Sequence, residues 1–279
     1  MGQISVLMAV YKKESAEHLE RSLRSIWDDQ MRKPDQIVLV EDGPLTEELY
    51  DVISRWRVIL GSKLCSPKNE KNMGLAIALN LGLNYVTCDF VARNDSDDFS
   101  APDRFELQAK YLEEHDDVDV VGGSMQEFNN NNPCLAIRHY PEKNISTYIC
   151  KAVPVAHPTV MMRTKIFKEG GIKYDTRYPM NEDIALWYDI LRNGYHISNI
   201  PEIIYHFECS DSMYERRSKE KAWPEFKVYM RGINDLHGIS SWRYIYPISR
   251  LAFRLMPVWM VKKIYGSKVR QKFLDSKRE

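Results

Sequence analysis

Three carboxylates fall within four positions, at Asp95, Asp97 and Asp98, directly behind the apolar run Phe90-Val91-Ala92. Like charges this close repel one another, so the cluster is costly unless a hard divalent cation or several hydrogen-bond donors compensate it. Mg²⁺ and Mn²⁺ typically take one or two carboxylates together with substrate phosphates, so such a site asks for a metal-bound diphosphate. Plainer readings compete. An Asp/Ser-rich stretch also suits a turn or a helix cap. A calcium loop counted from Asp95 finds Asp97 third and Glu106 twelfth, but Phe99 and Ser100 are wrong for the fifth and sixth positions and Pro102 interrupts it.

A second acidic pair, Glu182-Asp183, follows Asn181 at the head of an apolar stripe made by Ile184, Trp187, Ile190 and Leu191. An aspartate has an unperturbed pKa of about 4, and burial beside a glutamate raises it toward the range where general-base catalysis works well. The alternative is structural: Asn181 caps the helix and the two acids complement its positive end, worth about 0.3 to 1 kcal/mol each.

The elements that carry these residues alternate. Ile4 to Val10 reads as a buried strand, and Leu19, Leu23 and Ile26 mark a helix packed on it. Ile37 to Val40 is a second strand ending in Glu41-Asp42-Gly43-Pro44, with a helix from near Thr46. Helices are expected over Leu75 to Val86 and Arg104 to Glu114, and strands over Phe90 to Ala92 and Val118 to Val121. A βαβαβ order means a parallel sheet with helices on both faces and a ligand beyond the strands' carboxyl ends. Three polar clusters lie there: Tyr11 to Glu14, Glu41 to Gly43, and Asp95 to Asp98. No G-x-G-x-x-G follows the first strand, which argues against a nicotinamide enzyme. After about residue 125 the rhythm loosens into an Asn129 to Pro133 loop, short strands near Ala136 to His139 and Thr159 to Met162, and a helix stopped by Gly194.

With 279 residues the chain can bury a full core. Its formal charge is zero but segregated, because residues 242–279 hold ten Lys/Arg against Asp275 and Glu279. Five cysteines without a C-x-x-C suggest neither a zinc knuckle nor a disulfide framework, which fits a reducing cytoplasm. A strand-like run within three residues of the start argues against a cleaved export signal.

Five segments taken in order resemble the signatures of the family 2 inverting glycosyltransferases: Ser5-Val6-Leu7-Met8-Ala9-Val10-Tyr11, Val40-Glu41-Asp42-Gly43, Asn72-Met73-Gly74-Leu75-Ala76, Ala92-Arg93-Asn94-Asp95-Ser96-Asp97-Asp98, and Asn181-Glu182-Asp183-Ile184-Ala185-Leu186-Trp187. Together they span roughly residues 4 to 207. The resemblance implies a GT-A fold, α/β with a Rossmann-like, mostly parallel central sheet, and a UDP-sugar donor. It also implies one in-line displacement that turns an α-linked donor into a β-linked product. It places Tyr11 and Asp42 around the uracil, Ala9 and Glu14 in the same pocket, Asp95 near the ribose, and Arg93 within the donor site. Asp97 then holds Mn²⁺ or Mg²⁺ against the diphosphate as part of a D-x-D element, with Asp98 left open, and Asp183 matches the general base with Glu182 beside it. His157 resembles a position near the acceptor. The family's first strand more often ends Pro-Val-Tyr-Asn, whereas Ala9 and Lys12 stand here, and Glu41 stands where Asp is common. A β1,3 bond onto a lipid-linked N-acetylhexosamine is the family-based expectation for the product.

Two assignments come from position in the chain. His206, after Ile203-Ile204-Tyr205, is read as a third protein ligand to the metal, against a core or capping histidine. Arg216 and Arg217 are read as a clamp on the diphosphate, since a guanidinium fork matches phosphate geometry, against a solvated helix start.

Residues 1–236 are thus expected to form the catalytic domain, 1–124 binding the nucleotide-sugar and 125–236 the acceptor, before a basic, aromatic, amphipathic helical segment over 237–279. In that segment Trp, Tyr and Leu interleave with Lys and Arg, which suits an anionic membrane surface. The competing reading is a helix pair closing the edge of the fold. The expected location is the cytoplasm, peripheral on the inner face of the cytoplasmic membrane, with a lipid-linked or oligosaccharide acceptor from O-antigen or capsule assembly and no nucleic acid. A nucleotidyltransferase is the enzymatic rival, without the Gly-rich basic loop it needs for a triphosphate. A catalytically silent sugar-binding module is the other.

Overall fold

The computed structural model describes residues 1–129, 132–209 and 222–255. Its strands are β1 (Ile4–Val10), β2 (Gln36–Asp42), β3 (Leu64–Cys65), β4 (Lys68–Asn69), β5 (Phe90–Arg93), β6 (Phe99–Ser100), β7 (Val120–Asn129), β8 (Asn132–Arg138), β9 (Met161–Arg163) and β10 (Ile197–Glu208). Its helices are α1 (Ala16–Trp27), α2 (Glu47–Leu60), α3 (Leu75–Leu83), α4 (Arg104–Glu114), α5 (Ile145–Tyr148), α6 (Lys165–Lys168), α7 (Glu182–Arg192), α8 (Ala222–His237) and α9 (Ile245–Leu255). Capping chemistry fixes two of the starts: Ser15 accepts from the His18 amide before α1, and Thr46 accepts from the Leu49 amide before α2.

One sheet runs β3-β2-β1-β5-β9-β7-β10-β6, with β4 on β2 and β8 on β7. The parallel core expected from the βαβ rhythm is β2-β1-β5, and β7 pairs in parallel with β10. β9 enters antiparallel between β5 and β7, so the sheet is continuous across the two halves of the chain. Chain order reverses between β1 and β5, the kind of place where open α/β sheets bind ligands.

Strand alternation splits the core into two layers. Ile4, Val6, Met8 and Val10 of β1 join Ile37 and Leu39 of β2 against α1, α2 and α4. Leu7, Val38, Val40 and Val91 face the other way, toward α3, α7 and α8. Arg93 shares parity with Val91, and Asp42 with Val38 and Val40, so both are directed to the α3/α7 side by their strands alone.

α8 docks on α7 through Gly232, whose place leaves no room for a side chain: a Cβ there would sit 2.2 Å from the Tyr188 ring. Alanine would gain about 1 kcal/mol of helix propensity, yet overpacking typically costs about 1 to 3 kcal/mol. Gly232→Ala is therefore expected to lower the urea midpoint with an unchanged m-value; a raised midpoint would contradict this packing.

Candidate active site

The carboxyl ends of β1, β2 and β5 bring the three polar clusters to one edge. Asp42 is buried and already occupied: its Oδ1 accepts from Asn69 Nδ2 (2.8 Å) and the Met73 amide (2.9 Å), and its Oδ2 from the Gly74 amide (2.9 Å). It thus fixes the loop that leads into α3. Gly43 makes the turn behind it at φ +90°, where a Cβ would lie 2.5 Å from the Asn72 nitrogen. Tyr11 is exposed, Ala9 is partly buried against the α3/α7 core layer, and Glu14 Oε2 accepts from Ser96 Oγ (2.9 Å). Tyr11 to Glu14 and the acidic loop are therefore joined directly.

That loop is fastened from three other elements. From α1, Ser22 Oγ donates to the Asp95 carbonyl (2.7 Å) and Arg21 Nη2 to the Asp97 carbonyl (2.6 Å). From β10, Tyr205 OH accepts from the Asp95 amide (3.0 Å), and the Glu208 amide donates to Asp98 Oδ1 (2.8 Å). From α4, the fully buried Arg104 donates to Asn94 Oδ1 (3.0 Å), Ser100 Oγ (2.9 Å) and the Arg93 carbonyl (2.7 Å). Burial, together with the neighbouring Arg93 charge, brings Arg104 down to about 10. Arg104, Ser22 and Tyr205 were not singled out from sequence. Their one signal there is a polar residue set on an apolar helix or strand pattern, which many caps and surface positions share.

Asp95, Asp97 and Asp98 each offer an oxygen within 4.8 Å of the others. Burial, then Asp95 and Glu14, push Asp97 up to about 6. Burial, then Asp95 and Asp97, hold Asp98 well above the ordinary carboxylate range. Asp98 Oδ2 is buried without a hydrogen-bond partner. An all-oxygen donor set with an orphaned carboxylate oxygen and raised proton affinity fits a hard divalent cation. His206 does not join this group. It follows Tyr205 on β10, so strand alternation turns it to the other face, where its ring stacks on Phe99 at 4.5 Å; burial lowers its pKa. Arg216 and Arg217 lie outside the described residues.

The charge of Arg93 reaches both acidic groups. This side chain is 1% exposed, pairs with Asp95, and leaves Nε and Nη1 without a geometrically sound hydrogen bond. Burial opposes its charge, but Asp95 above all holds its pKa raised. The same guanidinium pulls down Asp97, Asp98, Glu182 and Asp183, so both acidic groups lie within its field. Glu182 is buried with Oε2 unpartnered, and burial raises its pKa. Burial first, and then Glu182, push Asp183 up to about 7. Asn181 makes no side-chain cap of α7; Met180 before it sits at φ +68°, a strained conformation for a side chain of this size. His157 donates or accepts at Tyr174 OH (2.9 Å) and packs on Trp187, with burial keeping it neutral.

A cavity of about 670 Å³ opens over the pair, walled by the Met73–Ile77 stretch held by Asp42, by Met180, Glu182 and Asp183, and by Glu225 and Arg254 from α8 and α9. That size and mixed lining suit a saccharide-sized ligand. The described part of the C-terminal segment packs on the fold, since Arg250 and Arg254 both turn inward to Glu225. Outward, Trp242, Ile245, Ile248 and Leu255 are exposed at helical spacing. Among the described residues no helix is long and apolar enough to cross a membrane.

The profile of glycosyl transferase family 2 matches residues 5–171. The chain is 34% identical to the UDP-Gal:alpha-D-GlcNAc-diphosphoundecaprenol beta-1,3-galactosyltransferase of Escherichia coli, over 96% of this chain and 97% of that protein. It is 32% identical to the amylovoran biosynthesis glycosyltransferase AmsE of Erwinia amylovora, over 94% and 97% respectively. The mannosyltransferase PcManGT from Pyrobaculum calidifontis, solved with GDP-Man and Mn²⁺, superposes with a TM-score of 0.64 at 16% identity, covering 99% of this chain and 79% of that one.

Removing the central cation tests the arrangement. Leaving buried carboxylates without their partner typically costs about 3 to 5 kcal/mol. Arg93→Met is expected to lose stability of that order at pH 7.5. The deficit should shrink toward pH 5, because acids whose folded pKa is raised lose stability as pH rises and regain it on protonation. Denaturant melts at the two pH values measure it, and an equal deficit at both would contradict the electrostatic role.

Proposed function

Because the chain belongs to glycosyl transferase family 2, we propose that it moves a hexose from a UDP-sugar to a lipid-linked saccharide and forms a β-glycosidic bond in bacterial surface polysaccharide synthesis. The chain is a glycosyltransferase of GT-A fold. The single observation that carries the finer reading is the cluster of Asp95, Asp97 and Asp98 paired to the buried Arg93, whose charge also reaches Glu182 and Asp183 on the cavity wall. The acceptor is taken from the activity of the E. coli relative, and the surface polysaccharide from the amylovoran enzyme.

In this reading residues 1–124 bind the donor, with Ala9, Tyr11, Glu14, Asp42, Arg93 and Asp95 about the nucleotide, and residues 125–236 present the acceptor. Mn²⁺ or Mg²⁺ on Asp95, Asp97 and Asp98 would neutralise charge that grows on the departing UDP. Asp183 accepts the proton of the acceptor hydroxyl as its oxygen bonds to the anomeric carbon and the bond to UDP breaks, with inversion. Burial first, and then Glu182, keep Asp183 basic enough to do so near neutral pH, while backbone amides and Arg93 pull the other way. The exposed stripe of Trp242, Ile245, Ile248 and Leu255, followed in sequence by Lys262, Lys263, Lys268, Arg270 and Lys272, supports attachment to an anionic membrane surface.

A donor screen by UDP release, on a synthetic N-acetylglucosaminyl-diphosphate lipid with and without Mn²⁺, tests the reaction; turnover is expected with one UDP-hexose and metal. Asp183→Asn is expected to lose about 10²- to 10⁴-fold in kcat with UDP binding retained. The wild-type rate should fall below an apparent pKa of about 7, the value of Asp183. Glu182→Gln removes a negative neighbour, so the acid limb should move to lower pH; a limb that stays put, or an active Asp183→Asn, would contradict the base assignment.

A further inference from the structure

The transfer step leaves two walls of the cavity unused, Glu225 and Arg254. Three carboxylates, Glu182, Asp183 and Glu225, face this space, and among the described residues Arg254 is the cation on its lining. An anionic acceptor entering here is repelled unless a cation meets its charge.

The pairing of Glu225 makes such a cation available. Arg250 Nη1 donates to Glu225 Oε1 (3.0 Å), while Arg254 Nη2 lies 2.6 Å from Oε2. Arg250 is fixed further, by a bond to the Lys151 carbonyl and by its guanidinium lying 4.5 Å over the Tyr229 ring. Among the described residues the Arg254 side chain has Glu225 as its ionic partner. Arg254 can therefore leave without stripping a half-buried carboxylate of its counter-ion, because Arg250 stays. A guanidinium fork also matches the oxygens of a phosphate better than those of a neutral sugar. On the opposite flank of α9 lie Ile245, Ile248 and Leu255, exposed and apolar. One short helix thus offers a phosphate-binding group toward the cavity and an apolar stripe away from it.

We propose that Arg254 binds the phosphate of the acceptor, exchanging Glu225 for the diphosphate that joins saccharide to lipid. The inference rests on the lipid-diphosphate acceptor of the proposed function. Two acceptors separate the two: undecyl α-N-acetylglucosaminyl diphosphate and undecyl α-N-acetylglucosaminide without phosphates, each assayed with the UDP-sugar that the donor screen returns. The readout is the ratio of kcat/KM, phosphorylated over phosphate-free.

Arg254→Gln is expected to lower that ratio at least tenfold. Glu225→Gln, which breaks the same ion pair but frees Arg254, is expected to raise it. Opposite signs from the two variants cannot come from loss of the ion pair as a structural brace, since both lose it. A ratio that falls in both, or stays within twofold of wild type in Arg254→Gln, overturns the assignment. A wild-type ratio near one overturns instead the acceptor reading on which it rests.

Discussion

Everything at this site is arranged about one buried guanidinium. Arg93 ends β5 with the parity that directs it toward α7, and it is held raised in proton affinity chiefly by Asp95. Five carboxylates feel it: Asp95, Asp97, Asp98, Glu182 and Asp183. In a low-dielectric interior such a set of acids would mostly protonate without a compensating charge. With Arg93 alone the compensation is incomplete, which is why Asp97 and Asp183 sit at about 6 and about 7 instead of near 4. That residual demand serves the chemistry in two ways. At the loop it favours a divalent cation, and at α7 it leaves an aspartate basic enough to take a hydroxyl proton.

Such a concentration of charge needs a rigid frame, and the frame is made of backbone contacts. Arg104 bonds the Arg93 carbonyl and the Asn94 side chain, Ser22 and Arg21 hold the carbonyls of Asp95 and Asp97, and Tyr205 takes the Asp95 amide. The acids are thereby kept from relaxing apart into solvent, at the expense of a second buried arginine whose own pKa is lowered to about 10. Asp42 does comparable work at the end of β2, fixing the amides of Met73 and Gly74 that line the cavity.

The acids themselves were legible in the sequence, as were the strands that end beside them. β1 matches the apolar run Ile4 to Val10, and α4 matches Arg104 to Glu114, because periodicity and caps are local signals. Pairing is not local. Nothing in Met161 to Arg163 says that this strand enters antiparallel between β5 and β7. The same lack of long-range information hid the partners of the acidic loop and the stacking of His206 on Phe99. In the C-terminal segment the amphipathic spacing was readable, but Arg250 and Arg254 face Glu225, inward, and it is the apolar stripe that lies outside. A mixed stripe cannot tell from spacing alone which side the fold will claim.

The central claim is that the acidic loop and the base on α7 share one cleft and one electric field. The most direct test is the pKa of the Asp183 carboxyl, followed by ¹³C NMR with Asp183→Asn for assignment, without and then with saturating Mg²⁺. A divalent charge seated among Asp95, Asp97 and Asp98 should lower that pKa from about 7 by about one unit. A value that does not move while Mg²⁺ is bound there would mean that the two acidic groups do not face each other.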